Sequence, residues 1–264
     1  MVSIILPARY RADLTRVCID SIINYTQDYE LILVQEGEDE EIERLLKSYL
    51  VYPQQVREAW KSKGVEHIGV DREAIKYIQQ SPKGYAGALN AGMKVATGDL
   101  YCFMNNDTVA TPGWMDEMLK GFDDPNVGLV GPTMWGMGNR QSVDWNGKMA
   151  NLDYILEPFS LAGVCFLISR QCMEALDDPK YPGQWDEDFN HGGEDFDIVL
   201  RIRNANYAMV VARKSFIYHY GGASTRIYIG DDLQVVQKHH YDMMMKLIKK
   251  HGLKEEEVFS RLNK

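Results

Sequence analysis

The chain has 264 residues, 45% of them hydrophobic and 25% charged, and a formal net charge of −9. That length buries one sizeable core, and the acidic balance excludes loose, charge-driven binding to nucleic acid. No apolar run reaches the roughly 18 residues that span a bilayer, and Met1 leads into VSIIL without a basic leader, so neither a signal peptide nor a membrane anchor is expected.

VSIIL (2–6), ending at Pro7, reads as a buried strand. Leu14, Val17, Cys18 and Ile22 then recur at helical spacing, with Asp13 as the expected N-cap. ELILV (30–34) is a second strand, which runs out into Gln35, Glu36 and Gly37. Helices are expected over 39–50 and 53–63, a strand at KYIQ (76–79) and a helix rich in small residues over 85–96. LYCFM (100–104) is a further strand and runs directly into Asn105, Asn106 and Asp107.

Strand and helix alternate throughout this half. That order implies right-handed crossovers and a mostly parallel α/β sheet flanked by helices, which binds its ligands beyond the carboxyl ends of the strands. In the second half a helix is expected after Pro112-Gly113 and a strand at 128–132, with a loop or ribbon over the site at 133–158. A strand at 161–169 and a helix near 170–177 follow, then a helix at 196–206, strands at 208–212 and 215–220, and a helix over 231–250. Cys18, Cys102, Cys165 and Cys172 lack CxxC spacing, so reduced, buried thiols are expected, as in a cytosolic protein.

Four stretches carry candidate chemistry. Asn105-Asn106-Asp107 offers hard oxygens to magnesium or manganese at a rigid strand end; read alone, it fits an Asx-rich turn equally well. Glu194 and Asp195 follow two glycines. Paired carboxylates can divide base and positioning roles, and acids also simply suit a helix N-terminus. His219 ends an apolar strand and can ligate a metal, while Arg226 beyond it can fork onto phosphate. SPKGYAGALNAG (81–92) lets backbone approach a ligand or a sheet closely. There is no P-loop, dinucleotide fingerprint, HExxH or GxSxG signature.

In order, VSIILPARY, ELILVQEGED, KGYAGALNAGMKVATGDLYCFMNNDT, AGVCFLISR, GGEDFDIVLRIRNANY and HYGGAST resemble the family 2 glycosyltransferases of the GT-A fold, rhamnosyltransferase-like subtype, over about residues 1–250. The resemblance implies a single GT-A domain, a Rossmann-like sandwich. Residues 1–107 would form the nucleotide-binding half, 108–230 the acceptor-binding half and 231–264 a C-terminal helical segment. It implies an inverting, metal-dependent transfer from a nucleotide-sugar, a UDP-sugar foremost, with Mn2+ or Mg2+ on Asp107 and His219. Asp195, with Glu194, would be the catalytic base. Donor contacts would come from Pro7, Ala8, Arg9, Glu36, Lys83, Gly84, Asn90, Asn105, Asn106 and Arg226. Trp135, Trp145 and Trp185 are the expected acceptor aromatics. The acceptor is a glycan, a lipid-linked glycan, a protein or a modified nucleic-acid base, met in the cytoplasm or at a membrane surface. Two alternatives remain open: a sugar-nucleotide nucleotidyltransferase, weakened because PARYRADL lacks glycine, and a non-catalytic nucleotide-sugar-binding module of the same fold.

Overall fold

The computed structural model describes residues 1–50, 74–135, 141–143, 152–155, 161–189, 192–221, 230 and 232–256. Its first half runs β1 (Val2–Ala8), α1 (Ala12–Tyr25), β2 (Tyr29–Glu36), α2 (Glu40–Leu50), β3 (Ile75–Gln80), α3 (Gly84–Met93) and β4 (Leu100–Met104). The second half runs β5 (Thr108–Ala110), α4 (Trp114–Leu119), β6 (Val127–Met134), β7 (Leu152–Ile155), β8 (Cys165–Ser169), α5 (Arg170–Glu174), α6 (Glu194–Asn204), β9 (Ala208–His219) and α7 (Leu233–His251).

Nine strands form one sheet in the order β3-β2-β1-β4-β8-β6-β9-β5, with β7 also against β9. Every residue of β1 and β2 is buried, as both-face coverage requires. Alternate residues of β1 feed two cores. Ile4 and Leu6 pack with Cys18, Ile19 and Ile22 of α1 and with Ile42 and Leu46 of α2. Ile5 faces the other way, toward Ala86 and Leu89 of α3, Phe103, and Ile198 and Ile202 of α6. The four cysteines are buried and free.

Strand direction places the functional edge. β1, β2, β3 and β4 are mutually parallel. β8 runs antiparallel to both β4 and β6, so β6 points the same way as β4, and β9 is parallel to β6. The carboxyl ends of β1, β2, β4 and β9, together with the start of β8, therefore share one edge.

Several local expectations are corrected. α1 begins without an Asp13 cap. Tyr10 and Arg11 both adopt left-handed backbone, at φ 60° and 53°, and reverse the chain into the helix; Asp13 lies in the first turn and takes a forked hydrogen-bond pair from Arg11 at 2.9 and 2.8 Å. The two strands expected at 208–212 and 215–220 are one, β9, which absorbs a register shift against β6 between Pro132 and Thr133. Within 133–158, Thr133 and Met134 belong to β6, and Leu152–Ile155 forms β7 on β9. The helix expected at 53–63 lies outside the described residues.

The last turn of α7 is pinned to the rest by charge. Lys250 Nζ lies 2.7 Å from Asp178, 2.8 Å from Asp186 and 2.7 Å from Asp197. Burial opposes ionisation of Asp178, but the Lys250 ammonium and the N–H groups of Tyr181 and Lys180 outweigh it and hold that carboxyl down at about 2. Above the clamp, Met244, Leu247 and Ile248 of α7 pack on Leu200 of α6 and on Phe189. Replacing the cation takes the ammonium from Asp178 and Asp186, while Asp197 keeps His251 at 2.8 Å and Arg201 at 3.5 Å. Lys250→Met is therefore expected to lower the melting temperature by about 4 to 8 °C, a cost of about 2 kcal/mol in a chain of this size. An unchanged melting temperature in differential scanning calorimetry would show that the clamp contributes nothing.

Candidate active site

The end of β4 is fixed residue by residue. The N–H of Asn105 donates to the carbonyl of Val164 at 2.9 Å, and its own carbonyl accepts from Thr108 Oγ1 at 2.7 Å. Asn106 is buried, and its amide nitrogen donates to Thr15 Oγ1 at 2.8 Å and to the Tyr10 carbonyl at 3.3 Å. It thus ties down the left-handed turn after β1. Asp107 is buried, and its carbonyl accepts from the N–H of Tyr220 at 3.0 Å.

β5 follows immediately and pairs antiparallel with the end of β9, Thr108 opposite His219. This pairing sets His219 Nε2 3.3 Å from Asp107 Oδ1. The approach is off the line of a hydrogen bond, and Nε2 is buried with no hydrogen-bond partner. An imidazole nitrogen and a carboxylate oxygen side by side, one of them orphaned, fit two ligands of a divalent cation. No group of three or more His, Cys, Asp or Glu able to hold a metal occurs among the described residues. A cation held by these two residues would take further oxygens from substrate, as magnesium and manganese sites with one or two protein ligands commonly do.

Across the edge, α6 opens on Gly193, whose left-handed φ of 88° aims the next two side chains back at the sheet edge. Asp195 Oδ2 accepts from the N–H of Gly163 at 3.1 Å, and Oδ1 accepts from the N–H of Phe196 at 2.9 Å. Gly163 is required there: a Cβ on it would lie 2.5 Å from Asp195 Cβ. Gly163 adjoins Val164, which bonds Asn105, so a short path of backbone connects the acid pair to the end of β4.

Glu194 Oε2 accepts from the N–H of Gly192 at 2.8 Å. Glu194 and Asp195 are partly exposed as residues, while protein encloses their carboxylates. Burial, then the charge of Asp195, pushes the Glu194 carboxyl well above the ordinary carboxylate range. Burial raises Asp195 as well, but the N–H groups of Gly163 and Phe196 stabilise its ionised form. The environment therefore favours a proton on Glu194 and a charge on Asp195.

Other expected residues have different work. One oxygen of Glu36 accepts from the N–H of Lys83 at 2.7 Å and from that of Gly84, closing the start of α3. Asn90 is buried and brackets Trp185, its amide donating to the Trp185 carbonyl at 2.9 Å and its oxygen accepting from the Trp185 N–H at 2.9 Å. Asn90 is thus a staple between α3 and the segment before α6. Trp185 is 1% exposed and sits edge-on to Phe103, so it is a core residue with no face for an acceptor. Trp135 is 60% exposed. Pro7 and Ala8 are the buried last residues of β1, and the Arg9 guanidinium lies 4.9 Å from the centre of the Tyr10 ring. Trp145 and Arg226 lie outside the described residues.

One residue escaped the sequence reading. Tyr85, in the first turn of α3, has a buried hydroxyl with no hydrogen-bond partner. Its signal was there: a single large polar-tipped side chain in a run of small residues, KGYAGALNAG.

Residues 3–173 match the model of glycosyl transferase family 2. The chain belongs to that family. It is 26% identical over 250 residues to the O-antigen biosynthesis protein RfbC of Myxococcus xanthus, covering 85% of this chain but 18% of that protein. It is 27% identical over 128 residues to the pre-mycofactocin glycosyltransferase of Mycobacterium tuberculosis, covering 47% of this chain and 27% of the relative. The chain thus spans only a fraction of these relatives' length. Among solved structures, the mannosyltransferase PcManGT of Pyrobaculum calidifontis, in complex with GDP-Man and Mn2+, superposes with a TM-score of 0.56 at 16% identity, over 86% of this chain and 59% of that one. GalNAc-T7 with UDP, GalNAc and Mn2+ gives 0.56 at 15%, over 83% and 43%. The fold is GT-A.

Gly163→Ala forces Asp195 out of place while leaving every side chain of the acid pair intact. Displacement of a reacting group by about 1 Å costs on the order of 100-fold in rate, and that is the loss expected in turnover. Turnover equal to wild type would show that the Gly163–Asp195 contact does not set the position of the acid.

Proposed function

We propose that the protein is an inverting, divalent-metal-dependent glycosyltransferase that moves a sugar from a nucleotide-sugar to an acceptor hydroxyl. The observation that carries the reading is the pairing of two unlike sites on one sheet edge. Asp107 and the orphaned His219 Nε2 form one, and the Glu194–Asp195 pair, tied to β4 through Gly163 and Val164, forms the other.

Asp107 and His219 would hold Mn2+ or Mg2+, which, when bound, supplies a Lewis acid for the charge that develops on a diphosphate leaving group. The ends of β1 and β4, with Pro7, Ala8 and Asn105, border the donor, and the exposed start of α3 at Lys83 faces its phosphates. Asp195 takes the proton from the acceptor hydroxyl as it attacks the far side of the sugar carbon, a role typically worth about 10²–10⁴-fold. Glu194, holding its proton, keeps a second negative charge away from Asp195. A single displacement inverts the anomeric centre.

We assign a rhamnosyltransferase-like subtype on the strength of the His219 position and take a UDP-sugar as the first donor to test. Trp135 remains as an acceptor-side aromatic face. The solved neighbours pair the same fold with GDP-Man in one case and UDP in the other, so a screen of both nucleotide classes by thermal shift with manganese is the direct route to the donor. Among the described residues no helix is long and apolar enough to cross a membrane.

Asp195→Asn keeps the size of the side chain and one of the two N–H contacts, since the amide nitrogen cannot accept the other, and it removes the base; transfer is expected to fall by about 10²–10⁴-fold with nucleotide affinity retained. In the wild type a base must be unprotonated to act. Because burial raises the pair, turnover should climb with pH through values above the ordinary carboxylate range. Full activity of the Asn variant, or a pH profile already flat above 4, would remove Asp195 from that role.

A further inference from the structure

Tyr85 is placed by a rigid piece of backbone. Gly84 before it has a left-handed φ of 78°, and Glu36 fixes the N–H groups of Lys83 and Gly84. The Tyr85 ring packs against the core that contains Ile5, Phe103 and Trp185 and remains partly exposed, while the hydroxyl is buried and makes no hydrogen bond. A buried hydroxyl without a partner is destabilising, a cost that phenylalanine would avoid with the same ring.

The surroundings of the hydroxyl narrow its purpose. Burial pushes the phenol well above its usual range, so the hydroxyl keeps its proton and can donate it in a hydrogen bond. The ring packs on the core shared by Phe103 of β4, the strand that leads to Asp107, and Ile198 of α6, the helix that begins at Glu194. Tyr85 therefore stands between the elements that carry the two halves of the proposed site, where the group transferred between donor and acceptor must pass. A sugar presents hydroxyl oxygens there, which accept hydrogen bonds; a bare nucleoside diphosphate does not.

We propose that the Tyr85 hydroxyl donates a hydrogen bond to a hydroxyl of the sugar being transferred and so helps to select that sugar. The inference rests on the glycosyltransferase reading and deepens it by naming a contact to the donor's sugar rather than to its nucleotide.

Tyr85→Phe tests it, with binding measured by calorimetry in manganese chloride. The probes are UDP and GDP, and beside them UDP-glucose, UDP-N-acetylglucosamine and GDP-mannose. In the variant the nucleoside diphosphates should bind within about twofold of wild type, while the sugar nucleotide that wild type binds most tightly should weaken by about fivefold to tenfold, the worth of one neutral hydrogen bond. The melting temperature should hold or rise, since no internal bond is lost. Equal weakening of nucleotide and sugar nucleotide, no weakening of either, or a fall in melting temperature would each overturn the Tyr85 assignment. Wild-type protein that binds none of the five probes would instead overturn the donor reading on which it rests.

Discussion

The short antiparallel pairing of Thr108–Ala110 with the end of β9 is the contact on which the site depends. It joins a residue just past the first half of the chain's strands to one more than a hundred positions later. Without it Asp107 would be a carboxylate on a turn and His219 the last residue of an apolar strand. With it their side chains meet at 3.3 Å, facing each other without bonding. The pairing is possible only because β8 reverses between β4 and β6, so that β9 arrives at the same edge as β4. Sheet direction thus decides which side chains converge.

The run Asn105-Asn106-Asp107 then makes sense as three anchors in three directions. Asn105 bonds through its backbone toward the start of β8, beside the glycine that seats Asp195. Asn106 reaches back to the turn at Tyr10 and to Thr15 in α1. Asp107 turns to His219. Two consecutive left-handed residues other than glycine, Tyr10 and Arg11, cost on the order of 1–3 kcal/mol each. Asn106 and the Arg11–Asp13 fork hold them. Strain of this kind persists where surrounding contacts over-determine it, and here it lies next to the proposed donor site.

Much of this was legible in the residues. Continuous apolar runs marked β1, β2, β4 and β8 because strands covered on both faces carry few polar residues, and those few, such as Ser3 and Glu30, are buried. The order of motifs pointed to the acids and to His219. What could not be read was the destination of individual polar side chains. Asn90 and Trp185 lie 95 positions apart, and nothing near either one foretells that the amide brackets the indole's backbone. Glu36 stands among the expected donor contacts, and its own stretch does not foretell that the start of α3, 48 positions on, takes one of its oxygens. The indole of Trp185 was taken for a sugar platform because aromatic faces suit sugars; the sheet needed it as core beneath Phe103. In each case the local pattern was right about the element and silent about the partner.

The account stands on one cation between Asp107 and His219, opposite the acid pair. The most direct measurement is an anomalous-scattering map from crystals grown with manganese chloride and UDP. A single manganese peak within bonding distance of both Asp107 Oδ1 and His219 Nε2 is the predicted result. Crystals with ordered UDP at the strand ends but no peak at those two atoms would contradict it.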